Sequence, residues 1–166
     1  MVTEEMIKNH VSSNNVDELK KLILNSKYQD IISFYTGYYG NIELIKSGIL
    51  NVKNNFSIML GAIKSEKLYI IEFIHNNSDS TINWCNLANI AAEYGSLNIL
   101  KYILQKFEYQ DYNLYSMIIN AIYNKNIHIV KYILSLNRFN KETKFNIFLN
   151  ALEIGNLEIV KYIIKN

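Results

Sequence analysis

The sequence predicts an all-α fold, a solenoid of six helix-turn-helix repeats, and three observations carry that prediction. First, a short motif recurs. It is best formed at Gly155-Asn156-Leu157-Glu158-Ile159-Val160-Lys161-Tyr162-Ile163-Ile164, and copies of it open at Asn14, Gly40, Glu66, Gly95 and Lys125, giving steps of 26, 26, 29, 30 and 30 residues. Self-similarity at a near-fixed period marks a repeat architecture. Second, the apolar positions of each copy fall second, fourth, fifth and eighth after the opening residue, the spacing of one helical face. Third, four residues before each opening stand His10, Thr36, Ala62, Ala91, Ala121 and Ala151. These are mostly small residues, on a second apolar segment that two helices can use to approach closely.

Taken in order, the repeats span residues 3–26, 29–51, 55–77, 84–107, 112–136 and 141–166 of one domain, 1–166. Thr3 before Glu4 and Glu5 is an N-cap followed by acids at the positive end of a helix. Each opening residue occupies a tight turn between two antiparallel helices. Gly40, Gly95 and Gly155 suit a left-handed backbone there, and Asn14 tolerates it. Glu66 and Lys125 do not, and each is expected to cost about 1 kcal/mol in that geometry. The first repeat has Glu18 where later ones have Leu44, Ile70, Ile99, Ile129 and Ile159, as expected of a terminal repeat with a solvent-facing side. The last repeat keeps the internal pattern with Ile159, Ile163 and Ile164, so its edge is a candidate for self-association.

Two further columns run through the copies. Lys20, Lys46, Glu72, Lys101, Lys131 and Lys161 hold the sixth position, read as a solvated face, with Asp17–Lys20, Glu43–Lys46 and Glu158–Lys161 as i,i+3 pairs worth about 0.2–0.5 kcal/mol each. Phe73, Tyr102, Tyr132 and Tyr162 hold the seventh, read as packing against the next repeat with hydroxyls toward water.

Composition narrows the function. Nearly half of the 166 residues are hydrophobic, which is against disorder, yet Asn, Lys and Glu interrupt every apolar run before membrane-spanning length. The acidic opening residues do not resemble a secretory signal, and the one cysteine, Cys85, fits a reducing compartment; a cytoplasmic location is expected. Of 17 basic residues only Arg138 is arginine, which is against a nucleic-acid reader, since arginine is preferred for bidentate phosphate and guanine contacts. The abundance of Asn, Ile, Lys and Tyr is read as a codon bias.

The stretch Ala91-Ala92-Glu93-Tyr94-Gly95-Ser96-Leu97-Asn98-Ile99-Leu100-Lys101-Tyr102-Ile103-Leu104 resembles the second half of the ankyrin repeat, and six copies extend that resemblance over essentially the whole chain. Its Asn/Ile/Lys/Tyr-rich style is similar to ankyrin proteins of amoeba-infecting giant viruses, for which the location would be host cytoplasm. The Thr-Pro-Leu-His opening of the family is missing, and the repeats are shorter than its usual length of about 33 residues. Six residues separate Ile49 from Phe56. Short or absent β-hairpin fingers are therefore expected, with somewhat longer loops at Gln105–Asn113 and Ser135–Thr143.

The resemblance implies a protein–protein interaction module whose concave face is formed by the residues just before each inter-helix turn. Carried over by position, these give Tyr38, Tyr39, Lys64, Glu93, Tyr94, Tyr123 and Glu153 as partner-binding residues, and tyrosine supplies large amphipathic contact area at low entropic cost. No catalytic, cofactor or metal site is expected. His10, His75 and His128 lack ligand spacing, and His75 takes a half-buried packing position. Cys85, with no acid–base partner nearby in sequence, is expected as a small buried hydrophobe. Neither nucleic acid nor membrane is expected as a partner. A structural, self-associating subunit is the alternative to the binding module.

Overall fold

A computed structural model describes residues 2–50, 55–77, 82–106 and 113–165. Among them lie twelve helices and no strand: α1 (Glu4–Ser12), α2 (Val16–Ile23), α3 (Ser26–Tyr39), α4 (Ile42–Lys46), α5 (Asn55–Lys64), α6 (Leu68–Asn77), α7 (Trp84–Tyr94), α8 (Leu97–Lys106), α9 (Leu114–Tyr123), α10 (Ile127–Ser135), α11 (Lys141–Ile154) and α12 (Leu157–Lys165). They form two compact units, Met1–Ile82 and Asn83–Asn166, with the division between the third and fourth pairs. In the first unit α1, α3 and α5 pack in succession, and α2, α4 and α6 each pack on the preceding helix. In the second unit α7, α9 and α11 form the equivalent row, backed by α8, α10 and α12.

The turn inside each pair follows from sequence. All six opening residues are left-handed: Gly40, Gly95 and Gly155 at φ of 72°, 79° and 74°, and Asn14, Glu66 and Lys125 at 54°, 57° and 59°. The amide after each opening residue donates back across the turn to the carbonyls of His10, Thr36, Ala62, Ala91, Ala121 and Ala151, at 2.8–3.3 Å. This is the hydrogen bond of a Schellman motif, which satisfies an orphan carbonyl at the helix end. The column of small residues thus has two roles. Five of its members, Thr36, Ala62, Ala91, Ala121 and Ala151, are fully buried, and all six accept the turn bond.

Asparagine begins most of the helices. Side chains of Asn15, Asn25, Asn41, Asn83, Asn113, Asn140 and Asn156 each accept from a backbone amide in the first turn that follows, and Thr3 does the same for α1, as expected. The asparagine content is therefore structural as well as compositional, because each such oxygen satisfies an amide with no intrahelical partner.

Apart from Trp84 and two methionines, the core of the described residues is aliphatic. Leu44, Ile70, Ile99, Ile129 and Ile159 are buried at the column where Glu18 stands in the first pair, and Glu18 instead pairs with Lys21 at 2.5 Å. That bridge is one residue on from the expected Asp17–Lys20. Glu43–Lys46 forms at 2.9 Å as expected, whereas Glu158–Lys161 is not among the ion pairs of the described residues. The closest approach is between α3 and α5. A Cβ built on Gly37 would lie 1.8 Å from the Ile58 carbonyl oxygen, and one on Gly61 would lie 1.9 Å from that of Phe34. Only glycine allows these backbones to cross at that distance.

The structure adds detail to these expectations and corrects one of them, the buried placement of Cys85. α4 stops after five residues because Ser47 bonds back to the Leu44 carbonyl and Gly48 turns left-handed at φ 71°. Cys85 is only half-buried; its neighbour Trp84 points into the core instead. In the last pair Leu157 and Ile164 are exposed although their spacing matches a core face. The described inter-pair loops are short: residues 24–25 join α2 to α3, and 136–140 join α10 to α11. Residues 51–54 and 107–112, on which the Ile49–Phe56 and Gln105–Asn113 expectations fall, lie outside the described residues.

Candidate partner-binding surface

In the first unit the C-terminal half of α3 carries Phe34, Tyr35, Tyr38 and Tyr39, spaced so that i,i+3 and i,i+4 neighbours meet on one side. The rings interlock. Phe34 stacks on Tyr38 at 6.0 Å and Tyr35 on Tyr39 at 5.9 Å, while Tyr38 and Tyr39 meet edge to face at 5.5 Å. Cations border the cluster on both sides. The Lys64 ammonium lies 5.7 Å from the Phe34 ring centre, and that of Lys8 lies 5.2 Å from the Tyr35 ring centre. The Tyr35 hydroxyl donates to Glu4, which also pairs with Lys8 at 3.1 Å. Those two hydrogen bonds hold the Glu4 carboxyl below the ordinary 4.5. Burial, and then the bond to Glu4, raise the Tyr35 hydroxyl above its ordinary 10.0. Predicted residues Tyr38, Tyr39 and Lys64 thus belong to one aromatic–cationic surface. Phe34, Tyr35 and Lys8 are part of it too; the Phe-Tyr-x-x-Tyr-Tyr spacing of α3 was the available signal.

In the second unit the candidate residues follow the turn edge. Glu93 and Tyr94 end α7, Tyr123 ends α9 and Glu153 lies near the end of α11; all four are exposed. The four predicted tyrosines, Tyr38, Tyr39, Tyr94 and Tyr123, are between 40% and 58% exposed. The turns of successive pairs are clasped by side chains. Asn126 Nδ2 donates to the carbonyls of Ala92 and Glu93 at 3.0 and 2.7 Å, and His128 Nε2 lies 2.7 Å from the Gly95 carbonyl oxygen. The first unit repeats the pattern with Asn41 Nδ2 on the Val11 carbonyl at 3.0 Å and the Tyr69 hydroxyl on the Gly40 carbonyl at 2.8 Å. His128 therefore serves as a clasp. These bonds hold the backbone of the turns beside the tyrosines.

Behind this edge the lysine and aromatic columns prove to be one feature. The ammonium of Lys46 lies 6.0 Å from the centre of the Phe73 ring, Lys101 lies 5.4 Å from Tyr132 and Lys131 lies 5.4 Å from Tyr162. Each lysine reaches forward to the aromatic ring of the next pair. Contacts of this kind are worth about 0.5–1 kcal/mol at exposed sites. Burial raises the Tyr132 hydroxyl above its ordinary value, partly offset by the charge of Arg138.

A cavity of about 300 Å³ opens in the second unit among Leu134, Ser135, Asn137, Lys144, Tyr162 and Ile163. No cluster of three or more His, Cys, Asp or Glu suited to a metal occurs among the described residues, and no described helix is long and apolar enough to cross a membrane. Compared with protein-family models, curated proteins and solved structures, the chain matches none of them.

Proposed function

We propose that this chain is a non-enzymatic, cytoplasmic protein-binding module, an ankyrin-like array of helix pairs that engages a protein partner through the concave side beside its inter-helix turns. One observation carries this reading: Tyr38, Tyr39, Tyr94 and Tyr123 are each at least 40% exposed just before those turns, while the core behind them is largely aliphatic. Buried aromatic anchors supply most of the free energy in protein interfaces, and tyrosine is among the residues enriched there. The stacked rings of α3 add to this, because side chains already held by their neighbours lose less entropy on binding. In the first unit Lys64 and Lys8 border the rings with positive charge, and in the second Glu93 stands beside Tyr94 with negative charge.

The test is affinity capture from cell extract with the wild-type chain and with a Tyr38→Ala/Tyr94→Ala/Tyr123→Ala variant, both checked for helical content. A protein retained by the first and lost from the second supports the proposal. Equal recovery of partners by both moves the binding surface elsewhere on the molecule.

A further inference from the structure

We infer that the outer face of α11 and α12 is a self-association surface on which a second copy of this chain docks, two-fold related, with α11 antiparallel to its mate. On α11, Phe145, Leu149 and Leu152 recur at i, i+4 and i+7, so they form one stripe; on α12, Leu157 and Ile164 lie one heptad apart. All five are exposed, Phe145 at 58%, Leu152 at 46%, Leu157 at 68% and Ile164 at 69%. The equivalents of Leu152, three residues before the opening residue, are Val11, Gly37, Ile63, Ala92 and Ile122, and every one of them is buried. Within a unit the following pair covers that position. Asn41 bonds to the Val11 carbonyl, Gly37 lies against Ile58 and Ala62, and Asn126 bonds to the Ala92 carbonyl. The face of α11 is thus of the same kind as the faces that pair with neighbours elsewhere in the chain, and it is uncovered.

Area and charge select a second copy. From their fractional exposures the five side chains present roughly 500 Å² between them, within the upper range of apolar patches that monomers leave open. Two such patches set together remove about 1,000 Å², which reaches the threshold for a specific interface. Lys141 and Glu153 lie at opposite ends of the α11 stripe, four residues before Phe145 and four after Leu149. Antiparallel pairing therefore sets Lys141 of each copy beside Glu153 of the other, and it opposes the two helix dipoles. A head-to-tail contact offers the stripe no comparable apolar partner. α1, which would meet the stripe, exposes Glu4, Glu5, Asn9 and Ser12, with Met6 as its large exposed apolar side chain.

Sedimentation velocity over about 1–100 μM reads the result, since a minimal interface of this area corresponds to micromolar affinity. The wild-type chain is expected to double in mass across that range. Leu149→Glu/Leu152→Glu, both at exposed positions, is expected to remain a single chain with unchanged far-ultraviolet circular dichroism. Should that variant lose helicity, Ile164→Lys near the exposed end of α12 replaces it. Lys141→Glu and Glu153→Lys should each weaken dimerisation about fivefold, and the combined exchange should restore it. A single-chain mass at every concentration overturns the inference. So does a dimer indifferent to the Leu149/Leu152 and Ile164 changes, or an assembly that grows beyond two copies.

Discussion

Replacing Glu66 with glycine should stabilise the protein, although it removes a side chain and adds flexibility. Glu66 lies at φ 57° and Lys125 at 59°, in turns whose counterparts Gly40, Gly95 and Gly155 have the same left-handed conformation. An L-residue with a Cβ pays roughly 1–2 kcal/mol there. Glycine relieves that strain but widens the unfolded ensemble, at a cost of about 0.4–1 kcal/mol. The net expectation is a gain of about 0.5–1 kcal/mol for Glu66→Gly and the same for Lys125→Gly. The two should add, because they lie in turns far apart in the sequence and in different units. Asn14→Gly is the control. Asparagine is at home in the left-handed region, so its change relieves little strain and should cost about 0.4–1 kcal/mol, through the wider unfolded ensemble and the loss of the bond Asn14 Oδ1 accepts from Asn41. The reverse substitutions separate backbone strain from crowding. At Gly155 nothing lies within 4 Å of a new Cβ, so Gly155→Ala should cost the backbone term alone, about 1 kcal/mol. At Gly40 the new Cβ would lie 1.9 Å from the Tyr69 hydroxyl, which donates to the Gly40 carbonyl, so Gly40→Ala should cost about 1 kcal/mol more. Urea unfolding measures the series as shifts in midpoint at constant slope. Loss of stability in Glu66→Gly and Lys125→Gly, with Gly155→Ala neutral, would show that the turn conformation does not limit these positions and would refute the reasoning.

Three further outcomes can be checked in the same preparations. Lys131→Gln removes the cation over Tyr162 and should lower stability by about 0.5–1 kcal/mol, whereas Lys161→Gln should change thermal unfolding little. Gly61→Ala drives a methyl into the Phe34 carbonyl, so a loss of at least about 2 kcal/mol is expected, seen in the unfolding midpoint. Alkaline titration followed by ultraviolet absorbance should show Tyr35 and Tyr132 ionising above 10, and Tyr35→Phe should remove one of these late steps. The sign follows from the raised folded values: the stabilisation from neutral Tyr35 is complete below pH 10 and is lost as pH rises through its higher folded pKa. Glu4 acts oppositely. Its lowered pKa gives stability that is present above the ordinary 4.5 and falls away in acid as the carboxyl protonates.

Features local to one pair were legible in the sequence. The period located all six turns, the small column located the buried crossings, and the odd residues Glu66 and Lys125 are left-handed because the turn geometry requires it. Thr3 capped the first helix for the same reason, a short-range hydrogen bond written within four residues. Contacts between pairs were not legible. Lys101 and Tyr132 each invited a correct but partial reading, one as solvated and one as packed, because nothing local tells a lysine which ring it will lie over. The α3–α5 crossing at Gly37 and Gly61 depends on two backbones meeting, and neither glycine shows that alone. Tyr38, Tyr39, Tyr94 and Tyr123 are exposed, and their place just before the turns was readable from the period. The joining of Lys64 to Tyr38 through Phe34 required the relative placement of α3 and α5.

The forward reach of the lysines also governs how such a chain can lengthen. The fifth pair carries both halves of the contact, Tyr132 to receive the Lys101 cation and Lys131 to supply one to Tyr162. A tandem duplicate of that segment would find a compatible neighbour on each side without any new residue being selected. The second pair offers Lys46 but has Ser47 where a ring would stand, so it can begin a run and cannot extend one. Gene duplication acting on this chain is therefore directional: some segments are ready to be copied, and others serve only as starts.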